Sequence, residues 1–168
     1  YVLTTPGVDV VGRRQGPPVG GYSLYPLDGA LRLRTARTGV EPDGWMGGSA
    51  SYSQYDVPAG AKGTVRIDLS RQAWCGKDVR STISIKVGPV GISATDQPEI
   101  RNVTREARGV IHSCQTRTFV LPTPPVPWRV EVAVDPTFSP GKLDPNLSDF
   151  RELGAQVGFG YELRRQQG

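Results

Sequence analysis

Histidine is nearly missing from this 168-residue chain: there is one, His112, and beside it only two cysteines, Cys75 and Cys114. A zinc centre of four Cys or His ligands therefore has too few donors. His112 precedes Cys114 by two positions in what reads as a single strand, where a packed or hydrogen-bonded histidine is a simpler account than a general base. The G-x-S-x-G, H-E-x-x-H, phosphate-loop and dinucleotide fingerprints are all missing. The glycine-rich GWMGGSASY lacks the lysine and the strand-to-helix setting that phosphate binding requires. No apolar run approaches the ~18 residues that read as a membrane-spanning helix. Lysine is scarce too, four against sixteen arginines, and the arginines are scattered through a chain of net charge +4. With no basic block, RNA-binding aromatic signature or recognition-helix pattern, nucleic acid is not an expected partner.

What the chain does have is chain breakers, 21 glycines and 15 prolines, spaced so that long helices are disfavoured. Apolar content is too high for disorder, and the length suits one core. Residues 1–20, with four Gly and three Pro, read as a lead-in segment or linker with at most one edge strand, and residues 21–168 as one β-sandwich domain. The first residue is Tyr1, so a processed product or a fragment is expected, with any targeting segment upstream. Cys75 and Cys114 read as one disulfide, the alternative being two buried thiols. The bridge would close a loop of about 40 residues, contribute ~4 kcal/mol and indicate an oxidising, extracytoplasmic compartment.

Alternation locates the strands. Leu31 and Leu33 alternate with Arg32 and Arg34 beyond an Asp28-Gly29 turn, and Pro42-Asp43-Gly44 and Pro58 bracket a segment carrying Tyr52 and Tyr55. Val65, Ile67 and Leu69, then Ile83, Ile85 and Val87, then Trp128, Val130, Val132 and Val134 give three clear strands. GPVGISATDQPE reads as a loop, residues 100–108 allow a helical turn, and GVIHSCQTRTFVL reads as one strand with Val110, His112, Cys114 and Thr116 on one face. Residues 135–148 form a long loop. The expectation is all-β: a two-sheet antiparallel β-sandwich of jelly-roll type with about eight strands and little helix. An immunoglobulin-like sandwich is the alternative, because the cysteines fall on separate strands.

The closing stretch DFRELGAQVGFGYE puts Leu153, Ala155, Val157, Phe159 and Tyr161 on alternate positions, which is a strand and not a helix. Its other face, Gly154, Gln156, Gly158 and Gly160, is nearly bare and suits close approach of backbone or ligand. Asp149 and Arg151 stand two apart before it. They either pair and pin the preceding loop or face a sugar or metal ion.

Candidate chemistry is sparse. A glycosidase needs two carboxylates facing across a cleft, whereas most acids here occupy turns: Asp28-Gly29, Asp43-Gly44, Asp135-Pro136 and Asp144-Pro145. Trp45, Trp74 and Trp128 lie at turns or strand ends, where indole faces pack against sugar C–H groups. Trp128 shares its face with valines and reads as core, which leaves Trp45 and Trp74, with Asp149 and Arg151, as carbohydrate-binding candidates. A structural calcium ion would draw on Asp43, Asp135, Asp144 and Asp149, although no spaced loop motif specifies them.

Three stretches, YSLYPLDGALRLRTARTGVEPDGWMG, LSRQAWCG and SDFRELGAQVGFGYE, resemble the extracytoplasmic C-terminal domains of multi-pass membrane glycosyltransferases of the bacterial arabinosyltransferase-like group. In that group membrane helices carry the transfer chemistry and an appended jelly roll binds the glycan. The resemblance implies a non-catalytic carbohydrate-binding or acceptor-positioning module of the cell envelope. Its implied partners are an arabinan- or mannan-like cell-wall glycan and the membrane region of a parent enzyme, whose anchoring helices this chain lacks. Two other readings stay open: a structural or protein-interaction sandwich without a ligand site, and a small glycoside hydrolase.

Overall fold

The computed structural model describes residues 1–26, 29, 32–57, 62–94 and 97–163. Asp28, Leu31 and Pro58, used above for two turns and a strand face, lie outside the described residues. Twelve strands are present among the rest: β1 (Val2–Thr4), β2 (Val8–Val10), β3 (Ser23–Tyr25), β4 (Leu33–Val40), β5 (Trp45–Gln54), β6 (Gly63–Ser70), β7 (Ser81–Ile92), β8 (Pro98–Ile100), β9 (Arg105–Ile111), β10 (Thr116–Pro122), β11 (Trp128–Asp135) and β12 (Ala155–Leu163). One short helix, α1 (Pro140–Leu143), interrupts the long loop.

The strands form an all-β antiparallel sandwich, as expected from the alternation. One layer runs β2-β4-β5-β11-β7-β9, with β8 on the far end of β7, and the other runs β10-β6-β12. β5 belongs to both. Ser49–Gln54 pair with β11, whereas Trp45 and Met46 pair with β12, so the sheet curls over at Gly47 and Gly48. Gly154, just ahead of β12, meets this bend, and a Cβ there would sit 2.3 Å from the Gly47 carbonyl oxygen. The bare face of the last strand is thus used for backbone approach at its first glycine.

Between the layers, Val65, Ile67 and Leu69 of β6 and Ile83, Ile85 and Val87 of β7 pack with Trp128, Val130, Val132 and Val134 of β11 in one buried cluster. Each such side chain contributes about 1.5–3 kcal/mol on leaving water. The last strand joins them through Ala155 and Val157, as its period requires.

Several local expectations are corrected. GVIHSCQTRTFVL is two strands, β9 on β7 in one layer and β10 on β6 in the other, because the chain turns at residues 112–115 with Cys114 at φ 59°, in the left-handed region. Residues 105–108 are strand and not helix, paired to β7 from Ser84 to Val87. Within GPVGISATDQPE, β7 runs on to Ile92 and β8 pairs back onto it. Leu33 is exposed, since only the three-residue β2 lies beyond β4. The lead-in residues carry two strands, and β2 adds itself to the edge of β4. Cys75 and Cys114 form a disulfide, Cα to Cα 4.8 Å, but it ties the β6–β7 loop to the β9–β10 turn instead of crossing between layers as in the immunoglobulin pattern.

Candidate functional site

The residues picked from sequence do meet, at the disulfide end of the sandwich. Gly44, at φ 85°, turns the chain so that Trp45 opens β5 pointing inward. There its ring meets Phe138 edge-on with centroids 5.9 Å apart, while Trp74 lies 5.2 Å from the same phenyl. Leu153 completes this second, smaller core. Trp45 and Trp74 are only 8% and 6% exposed, and Trp128 is fully buried in the main core. None of the three indoles presents an open face to solvent. Trp45 and Trp74, with Phe138, Leu147 and Asp149, line a shallow hollow of about 260 Å³.

Arg151 forms the outer wall of this end. Its guanidinium grips Asp149 with two bonds, Nε to Oδ1 at 3.1 Å and Nη2 to Oδ2 at 2.8 Å, and reaches Asp43 Oδ2 at 2.8 Å in the β4–β5 turn. The backbone helps, because Asp149 Oδ1 also accepts the Arg151 N–H and the Asp149 carbonyl accepts the N–H of Gly141 in α1. Hydrogen bonding to Arg151 holds both carboxyls below the usual carboxylate range, and the same bonds raise Arg151. The pair therefore locks the long β11–β12 loop and fastens it to a turn from the other end of the sequence.

The calcium candidates are not gathered. Asp43 is bound to Arg151, Asp144 accepts the N–H and side-chain amide of Asn146, and no group of three or more acidic, His or Cys side chains able to hold a metal occurs among the described residues. His112 Nδ1 lies 3.3 Å from both oxygens of Asp78 in an exposed pair. The neighbouring Ser113 hydroxyl donates to the Lys77 carbonyl and accepts the Val79 N–H, so it is not placed as a nucleophile.

Sequence reasoning missed Arg71, in LSRQAWC directly after the β6 alternation. Its side chain is fully buried beneath Phe138, 5.1 Å from the ring centroid. Nε donates to the Gly154 carbonyl at 2.7 Å, Nη1 to the Val79 carbonyl at 2.8 Å and Nη2 to Ser81 Oγ at 2.6 Å. Ser81 in turn donates to the Pro136 carbonyl. Among the described residues no carboxylate bonds the guanidinium, and burial pulls its pKa down to about 10. One cation thus joins β7, the β6–β7 loop and both ends of the β11–β12 loop.

A second place was also missed. β12 pairs with β5 only through Ala155 and Gln156, so the layers part beyond that point. Aromatic rings fill the gap: Phe159 stacks on Tyr52 at 5.6 Å, Tyr52 packs on Trp128 at 5.7 Å, and Trp128 on Tyr161 at 5.3 Å. Burial pushes the Tyr52 phenol up to about 12, and its hydroxyl donates to Gln54 Oε1. The lead-in chain crosses the opening, held by β2 and by a 2.6 Å bond from the Tyr25 hydroxyl to Asp9. A groove of about 320 Å³ remains, walled by Asp9, Arg14, Tyr25, Arg37, Tyr52 and Phe159. A further hollow of about 560 Å³ continues it past Gly7, Gly21 and Arg37 toward Glu41. The outer sheet face holds a third depression, about 370 Å³, lined by Thr38, Ser51, Lys86, Arg129 and Glu131 without any aromatic ring.

The aromatic groove is the only one of these hollows, among the described residues, to combine ring surface with exposed hydroxyl, carboxylate and guanidinium groups. No helix among them is long and apolar enough to cross a membrane, and the disulfide is consistent with an oxidising compartment. Comparison of the chain with protein-family models, with curated proteins and with solved structures gave no significant match.

Proposed function

We propose that this sandwich is a non-catalytic carbohydrate-binding or acceptor-positioning module of a cell-envelope glycosyltransferase, standing outside the membrane and anchored through helices of its parent protein. Its glycan is arabinan- or mannan-like, and it lies in the groove at Tyr52 and Phe159. One observation carries this reading: the two rings stack on the wall of a groove that also presents Thr35, Asp9 and Arg37. Ring surface packs against sugar C–H faces while the polar groups satisfy hydroxyls. Titrating the 168-residue chain with arabinan and mannan oligosaccharides, followed by backbone amide NMR, is expected to shift resonances of β2, β4 and β12. A flat response across cell-wall glycans refutes it.

The structural or protein-interaction reading has its own support. Trp45, Trp74, Asp149 and Arg151 are all spent on internal packing and ion pairing at the disulfide end. Under that reading the groove binds nothing. A hydrolase is supported least, since Asp43 and Asp149 share Arg151 and are both held deprotonated, leaving no acid there to protonate a leaving group.

A further inference from the structure

The geometry points to a groove that selects glycans carrying an anionic group, a carboxylate or a phosphate, held between Arg37 and Arg14. This rests on the groove being the sugar site. Arg37 of β4 stands directly opposite Tyr52 of β5 in the sheet register, so both side chains emerge on the same face. Gly7 fixes the other wall: at φ 86° its carbonyl accepts the Arg37 N–H at 2.8 Å, and a Cβ there would sit 2.6 Å from the Arg37 carbonyl oxygen. That close approach brings the lead-in chain against β4, and Arg14 of the same segment lines the groove with Arg37.

The charges of the groove do not cancel. Among the described residues Asp9 is its single carboxylate, and both oxygens are engaged, Oδ1 by the Tyr25 hydroxyl at 2.6 Å and Oδ2 by Arg34 at 3.4 Å. Arg14 gives its Nε to the Gly16 carbonyl at 3.1 Å, and its terminal nitrogens make no hydrogen bond among the described residues. Arg37 is exposed and has no acid partner among the described residues. Two planar guanidinium groups lining one groove with stacked aromatic rings suit an oxyanion attached to a ring. Glu41 lies further along, in the adjoining hollow, and sets the polarity of the groove: the anionic end belongs beside Tyr52 and the neutral end toward Glu41.

The test pairs each anionic oligosaccharide with its neutral counterpart: tetragalacturonate against its methyl ester, and a 6-phosphorylated mannotriose against mannotriose. Calorimetric titration is expected to show at least one anionic member binding about tenfold tighter than its partner, the gap narrowing as salt rises. Which pair shows the gap tells carboxylate from phosphate. Arg37→Gln and Arg14→Gln are each expected to remove most of the gap, weakening the anionic member far more than the neutral one, with the melting temperature unchanged. Arg66→Gln, on the β6 strand of the other layer and paired there with Asp68, should change nothing. Equal affinity within both pairs, with amide shifts still at β2, β4 and β12, overturns the anion selectivity but keeps the sugar site. A gap that survives both arginine substitutions overturns it too, as does tighter binding of an oligothymidylate than of any sugar. Absence of binding by all four sugars refutes the sugar site itself.

Discussion

Arg71 offers the sharpest stability test, because two large effects oppose each other there. In Arg71→Met the unbranched side chain keeps most of the volume, but the Gly154 and Val79 carbonyls and the Ser81 hydroxyl lose their donor. At about 1–3 kcal/mol for each buried group left unpaired, the loss is ~5 kcal/mol. Against it stands relief from burying a charge. A pKa drawn down from 12.5 to about 10 by desolvation corresponds to about 3 kcal/mol. The loss wins by ~2 kcal/mol, and Arg71→Ala adds a cavity beneath Phe138 worth about 2–3 kcal/mol more.

In a domain of this size each kcal/mol moves the melting temperature by roughly 2–4 °C, so Met is expected to lower it by about 4–8 °C and Ala by about 8–20 °C. Urea unfolding with the disulfide intact gives the free energies directly. Emission should also redden slightly in the native baseline, since Trp45 and Trp74 share the cluster with Phe138 that Arg71 supports. If Arg71→Met proves as stable as the parent or more so, the desolvation cost exceeds what the three hydrogen bonds return, and Arg71 does not hold this end together.

Two further outcomes follow from the same end of the molecule. Reducing Cys75–Cys114, which closes a 39-residue separation, should lower stability by ~4 kcal/mol in the chain-entropy model, and a melt that is unchanged by reductant refutes this. Acid should loosen the β11–β12 loop. Asp43 and Asp149 have folded pKa values below the ordinary carboxylate value, so their contribution is complete above about pH 4 and disappears as pH falls through the lowered folded values. Amide NMR of Gly141 and Arg151 across that range should report the loss, and Arg151→Gln should abolish the pH dependence. An unchanged pH profile in the variant contradicts the lock.

How much of this could be read in advance depended on whether a residue's role is local. The strands at Val65–Leu69, Ile83–Val87 and Trp128–Val134 were legible because each buries one face and leaves the other polar. β9 was not, since its residues are mostly exposed and only Ile111 is fully buried, which leaves no alternation to read. The turn at His112–Gln115 contains no Gly, Pro, Asn or Asp, and its left-handed residue is a cysteine held by the disulfide and by bonds from its N–H to the Arg71 and Trp74 carbonyls. For the site, the pairing of Asp149 with Arg151 was local and legible, but the third member, Asp43, lies 108 residues away. An indole after a turn looks the same in sequence whether it faces solvent or Phe138. The groove was illegible for the same reason: Asp9, Arg37, Tyr52 and Phe159 come from four strands and meet only once the sheet has curled.

The curl also separates holding from binding. β5 runs from Trp45 in the small core to Tyr52 beside Phe159, and at ~3.3 Å per residue those seven steps span roughly 23 Å. At the first end two arginines are answered within the protein: Arg151 by Asp43 and Asp149, Arg71 by carbonyls and a hydroxyl. At the second, Arg14 and Arg37 line the groove while its described carboxylate, Asp9, is engaged by Tyr25 and Arg34. Sites this far apart without shared partners act nearly additively. A variant at Arg71 therefore changes how firmly the sandwich is held, and a variant at Arg37 changes what it holds, so an effect of Arg71→Met on ligand selectivity would mean that the two ends communicate through β5.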